Sequence, residues 1–376
     1  MNLLRFKSPI SRTQISLESG LNKATVTSLM AELLEDGFAT EVGRGHSYGG
    51  RRPVLLRFNA SAGYVIGIDL GVSDLKAMIT DLSAHEVYTL TDQLPQNQDV
   101  HETIARISKA VQTCIKITPP SRHGVIGVGI GVPGLVDFET GNVINAPNLN
   151  WRDVPLKALV ENLVQLPVYV DNEANVGALA EQLYGGGRGI QNFVYVSAGA
   201  GIGTGIITNG ELYRGANGIS GEFGHMTVEM QGLRCACGNR GCLEMYASEK
   251  ALVERYRQLT GGTVSPEVIL SRLDHEDPNA IESMHSVATY LAIGISNIVN
   301  GLNPTVVLIG NHLARAGRWL LPPIAQTLMS RCLIAPYSSV ETRISSLGEN
   351  AGVIGAVALA IDQYFARPVR SLRNNI

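Results

Sequence analysis

Three of the five cysteines fall inside eight residues, spaced as Cys235-x-Cys237-x4-Cys242, and His225 stands ten positions before the first of them. One imidazole and three thiolates are enough to close a tetrahedral shell of the structural-zinc type. Gly238 and Gly241 let the backbone turn tightly enough to bring them together. Two other readings fit the same cysteines. Buried free thiols are common, although a polar, glycine-rich stretch is unlike a core strand. Disulfides suit exported chains, and nothing resembling a secretory signal opens this one. Cys114 and Cys332, alone in apolar runs, read as ordinary core thiols. The stretch 221–244 also carries Glu222 and Glu244, carboxylates that a metal loop would fix in space.

At 376 residues the chain is too long for one ordinary core and implies two or three domains. The 30 Lys and Arg nearly balance the 33 Asp and Glu, so any nucleic-acid footprint has to be local. No run of eighteen apolar residues and no signal-peptide core is present, so the expectation is a soluble, cytoplasmic protein without a membrane partner. The 41 glycines concentrate between strand-like runs, as in an α/β fold with tight loops near ligands.

The basic excess lies at the N-terminus, where residues 1–60 hold eight Lys and Arg against five acids. SRTQISLESG (11–20) reads as a short helix capped by Ser11 and stopped by Gly20. NKATVTSLMAELLEDG (22–37) reads as a second helix, capped by Asn22, with Val26, Leu29, Met30, Leu33 and Leu34 on one face. This is the helix-turn-helix arrangement. Asn22, Lys23, Thr25, Thr27 and Ser28 are short or polar, as a recognition helix requires, and Arg12 joins them from the preceding helix. FATEV and PVLLRF then form a hairpin whose glycine-rich tip carries Arg44, His46, Arg51 and Arg52, a wing suited to the sugar-phosphate backbone. A small protein-interaction module with a charged tip is the other reading. Only seven residues precede Ser8, so the first helix is expected to be clipped, with translation starting upstream of Met1.

Further along, YVIGIDLGVSDLKAMITDL (64–82) reads as a hairpin and 101–117 as an amphipathic helix. VIGVGIGVPGLVD (125–137) reads as a buried strand with a turn. LPVYVDNEANVGALAEQLYG (166–185) gives a strand, a polar elbow and a helix, and VYVSAGAGIGTGII (194–207) a glycine-rich hairpin. The apolar stripe at 287–304 is core or subunit interface, and 347–365 is a Gly/Ala-rich helix expected to pack back on the first lobe.

GExGH at 221–225 followed by CxCGxxGCxE at 235–244 resembles the signature of the ROK family, which includes sugar kinases and sugar-responsive repressors. The resemblance extends to the wing phrase SYGGRRP and implies an α/β architecture: a winged helix-turn-helix, then a two-lobed actin-like/hexokinase-like ATPase fold with a zinc loop. It divides the chain at 1–60 for the head, 61–185 with 347–376 for the first lobe, and 186–346 for the second. It implies that His225, Cys235, Cys237 and Cys242 hold zinc. By the same resemblance Asn148, Asn172, Glu173, Glu222, His225 and Glu244 bind a sugar, Asn148 lying in the loop NAPNLNW (145–151).

The chain departs from the kinase pattern at three places. Where kinases of the family carry DxGGT it has Val72 and Ser73, and where they carry DNDAN, with the second Asp as base, it has Glu173. At the adenosine segment, 304–317, it has Gly310-Asn311 instead of two adjacent glycines. The expectation is therefore a repressor without kinase activity that binds operator DNA as a homodimer or homotetramer and is released by a small sugar. The DNEAN elbow and GGRRP wing are most similar to the xylose-responsive members, which points to xylose. The alternative is an active sugar kinase with an N-terminal extension.

Overall fold

The computed structural model describes residues 1–45, 52–95, 99–333 and 340–366. His46, Arg51 and the basic tail from 367 onward lie outside the described residues. In the head, helices Asn2–Lys7, Arg12–Ser19 and Lys23–Glu35 pack on a three-stranded sheet. Ser11 and Gln14 form a reciprocal cap, Gly20 ends that helix at φ +70, and Asn22 Oδ1 accepts from the Thr25 N–H at 2.8 Å. The central strand is Val54–Phe58. It pairs with Ala39–Arg44 and with a two-residue strand, Ile10–Ser11, too short for any sequence pattern to reveal. Leu4 of the first helix is buried with Ile15, Val26, Met30, Phe38 and Leu56. Leu29, expected on the same face, is 38% exposed, whereas Val26 and Met30 are buried.

The body repeats one five-stranded pattern, an antiparallel meander of three followed by two parallel strands. In the first sheet the order is Val168–Asn172, Val125–Val132, Tyr64–Leu70, Asp74–Asp81, Glu86–Gln93. The second runs Glu341–Ile344, Val306–Gly310, Phe193–Ala198, Ile202–Thr208, Glu211–Leu212. The repeat is the two-lobed actin-like/hexokinase-like fold. The inner strands are near-continuous apolar runs because both faces are covered. The apolar stripe in helix Pro278–Leu302 is core, with Val287, Leu291, Ile295, Ile298 and Val299 buried against the second sheet's helices and strands.

Two helices lie between the sheets and meet at backbone distance. A Cβ on Gly129 of the first sheet would fall 1.8 Å from the Ala356 carbonyl of helix Ala351–Ala366. One on Gly205 of the second sheet would fall 2.3 Å from the Ala174 carbonyl of helix Glu173–Tyr184, and one on Gly355 would fall 1.9 Å from the Val176 carbonyl between the two helices. The C-terminal helix thus packs on the first sheet as expected. Helix Glu173–Tyr184, though it continues a strand of the first sheet, seats Ala174 and Ala178 against the second. Among the described residues no helix is long and apolar enough to cross a membrane.

Candidate functional site: a sugar-sized cleft beside a metal loop

One cleft of about 300 Å³ opens between the lobes and is lined by Asn148, Asn172, Glu173, Glu222, His225 and Glu244. Residues from four separate stretches of sequence therefore meet in one place. Glu222 precedes a short turn, Phe223–His225, and Glu244 opens the helix Glu244–Ala247. The Ile202 N–H donates to Glu244 Oε2 at 3.3 Å, and Lys250 Nζ donates to Asn148 Oδ1 at 2.9 Å. Asn172 has a structural task as well: its Oδ1 caps helix Glu173–Tyr184, accepting from the Ala174 N–H at 2.8 Å, and its Nδ2 donates to the Gly134 carbonyl at 2.9 Å.

Glu173 sits at the first turn of that helix, 3.5 Å from Ser197 Oγ. Loss of water around it, then the charge of Asp69, push its carboxyl up to about 8. Asp69, at the end of strand Tyr64–Leu70, is pushed up to about 7 by burial and then by Asp74. Near neutral pH Glu173 is therefore mostly a neutral acid, able to donate to a sugar oxygen as well as accept from a hydroxyl.

The other half of the cleft joins the DxGGT position, from Asp69 to Ser73, to Asn311 of the adenosine segment. Asp69, Asp74, Glu249 and Glu349 line it, together with Lys76 and His312. His312 Nδ1 bonds Glu249 Oε1 at 2.8 Å, which raises the imidazole's proton affinity, and Lys76 Nζ bonds Asn350 Oδ1. Asn311 holds φ +67, a backbone conformation that favours glycine. Its side chain donates to Ser197 Oγ at 3.0 Å and lies against Gly199 of the glycine-rich hairpin.

Beside the cleft, the donor atoms of His225, Cys235, Cys237 and Cys242 all lie within 4.8 Å of one another. Cys237 Sγ and Cys242 Sγ are 3.7 Å apart, against an edge of about 3.8 Å for a tetrahedron with metal–sulfur bonds of about 2.3 Å. The donor set thus fits a metal ion. His225 turns Nδ1 to Cys235 Sγ at 3.7 Å and Nε2 to Glu222 Oε2 at 3.9 Å, so one ring can face both the ion and the cleft. Gly241, at φ +71, is obligatory: a Cβ there would meet the Glu229 carbonyl at 1.7 Å.

In the head, Asn22, Lys23, Thr25, Thr27, Ser28, Arg44 and Arg52 are all exposed. The Thr27 hydroxyl donates to the Lys23 carbonyl at 2.8 Å, and Arg12 pairs with Glu41 of the wing strand at 3.3 Å.

The sequence profile of the ROK family matches residues 65–363. The chain belongs to the ROK family. A xylose repressor of Bacillus subtilis (strain 168) is 39% identical, over 95% of this chain and 92% of that one. The crystal structure of a ROK transcriptional regulator, a homologue of the E. coli MLC protein, matches with TM-score 0.82 and 28% identity over 96% of this chain and 94% of that one. A ROK glucokinase from Streptomyces griseus, solved with glucose and AMPPNP, matches with TM-score 0.74 and 31% identity; it covers 80% of this chain and 100% of its own. The sequence signature had pointed to this family through residues 221–244. What it missed, Glu249, His312 and Glu349, carries no local motif; Asp69 opens the DxGGT position.

Proposed function

We propose that this protein is a sugar-responsive transcriptional repressor: the winged head holds operator DNA, and a sugar, xylose first, bound in the interlobe cleft releases it. The observation that carries this reading is the head itself. The B. subtilis xylose repressor aligns over 95% of the chain, whereas the glucokinase structure covers 80% of it. A homodimer would present two recognition helices to two half-sites about one helical turn or a multiple apart.

The nucleotide half of the cleft supports loss of kinase activity. Val72 stands in the turn where the family's kinases expose bare backbone, Asn311 fills the space over Gly199, and Asp74, Glu249 and Glu349 add carboxylates to that half of the cleft. Zinc is the ion that suits a His/Cys3 set. It would tie Glu222, three residues before His225, to Glu244, two after Cys242. Sugar engaging Glu173 from one lobe and Glu222 and Glu244 from the other would favour a closed body and turn the paired heads out of register with the operator.

A second reading, an active ROK sugar kinase, is favoured by Glu173: a carboxyl with proton affinity near neutrality, at the family's base position, is fit to take a hydroxyl proton. Nuclease footprinting on DNA flanking the protein's own gene separates the two. The repressor reading expects a two-half-site footprint that xylose erases without ATP. No footprint, together with ATP consumption in the presence of a sugar, would establish the kinase.

A further inference from the structure

The end of the recognition helix is gripped by the body. Asp36 caps helix Lys23–Glu35, and its carbonyl accepts a hydrogen bond from His123 Nε2 at 2.7 Å. A carbonyl only accepts, so Nε2 carries the proton. The His123 ring lies flat on Phe38, with centroids 4.4 Å apart and planes 4° from parallel. On its other sides Phe38 meets Phe365 at 5.3 Å and Tyr364 at 6.3 Å, both edge-on, and Phe58 meets Phe365 at 6.3 Å. The turn that joins the recognition helix to the wing is thus held by the 121–124 loop and by the last turn of helix Ala351–Ala366.

Both supports lead back to the cleft. The His123 N–H donates to the Ala62 carbonyl at 3.0 Å. Strand Val125–Val132, which follows, runs to Gly134, whose carbonyl takes the Asn172 amide. Helix Ala351–Ala366 starts beside Asp69, where Gly352 leaves no room for a Cβ. The other interlobe helix begins at Glu173 and ends at Tyr184, whose hydroxyl accepts from Arg5 of the head at 3.4 Å. Two adjacent helices, about 18 and 24 Å long, therefore start at the cleft and end under the head.

We propose that His123 is a positioning residue for operator recognition, setting with Phe365 the angle of the recognition helix on the body and so converting lobe movement into head reorientation. A planar stack combined with a hydrogen bond to a helix-terminal carbonyl fixes both the ring plane and the helix axis. A head hung on a free linker would transmit neither. The inference rests on the repressor reading.

The test is operator affinity of the full chain by fluorescence anisotropy at fixed salt, with and without xylose, alongside xylose affinity by calorimetry. Allosteric factors are typically roughly 5- to 150-fold. His123→Ala should leave xylose affinity within about twofold of wild type while the factor by which xylose weakens operator binding falls toward one. His123→Gln, which keeps a donor near the Nε2 position, should recover part of that factor, and Phe365→Leu should lower it. Should Ala unfold the head, Gln and His123→Phe, each keeping either the hydrogen bond or the stack, read the same quantity. A variant with neither the hydrogen bond nor the stack that retains the wild-type release factor overturns the inference. So does a parallel fall of sugar affinity, operator affinity and thermal stability that Gln does not relieve. Wild-type protein that binds no operator, or ignores xylose, overturns the repressor reading itself.

Discussion

Glu173 and Asp69 share a poorly hydrated corner, and each holds its proton more tightly folded than unfolded, where ordinary carboxyls titrate near about 4. Their contribution to stability is therefore full below about pH 4 and is lost as pH rises through about 7 for Asp69 and about 8 for Glu173. Glu173→Gln removes its part, so thermal unfolding followed from pH 5 to 8.5 should show a shallower fall in Tm than wild type; an unchanged slope would mean Glu173 is already solvated. Cys237→Ser leaves three donors around the metal position, and elemental analysis should find less than one zinc per chain where wild type holds one. Equal zinc contents would remove Cys237 from the donor set. The cysteine cluster was legible because its ligands lie within 18 residues of chain. Glu249, His312 and Glu349 were not, since only tertiary folding gathers them beside Asp69 of the DxGGT position. The capping of a helix by Asn172 was likewise hidden behind its family role.

Among the elements, the glycine contacts between helices decide how closely the lobes meet. Gly355→Ala forces a methyl against the Val176 carbonyl, and overpacking of this kind costs roughly 1–3 kcal/mol. Gly301→Ala, in a helix with nothing within 4 Å, should be neutral or slightly stabilising. Equal effects of the two in urea denaturation would show that the helix–helix approach is not tight. In the wing, Arg44→Ala with Arg52→Ala should weaken binding to all DNA alike. The slope of log affinity against log salt should then fall by about one for each phosphate left without its arginine. Weakening confined to one sequence would make the wing a reader of bases. Helix ends in the head were readable because Ser11, Gly20 and Asn22 state their caps chemically. Strand Ile10–Ser11 and the exposure of Leu29 depend on what packs alongside, which no local pattern records.

For the whole molecule, the family and the winged head followed from two short motifs, but the coupling between them did not. The contacts that would carry it are pairs distant in sequence: His123 with Asp36, Arg5 with Tyr184, and Arg214 with the buried Asp171, a half-buried ion pair at 2.7 Å that joins the loop before Glu222 to the strand before Glu173. The repeated five-strand order was also hidden, because edge strands such as Glu211–Leu212 are too short to carry a pattern. If the lobes and heads form one two-state device, the coupling must be reciprocal. The most direct test is the affinity of xylose for the zinc-loaded protein free and bound to its operator, measured at one salt concentration. The account predicts that operator DNA weakens xylose binding by the same factor by which xylose weakens operator binding. Equal xylose affinities in the two states would contradict it.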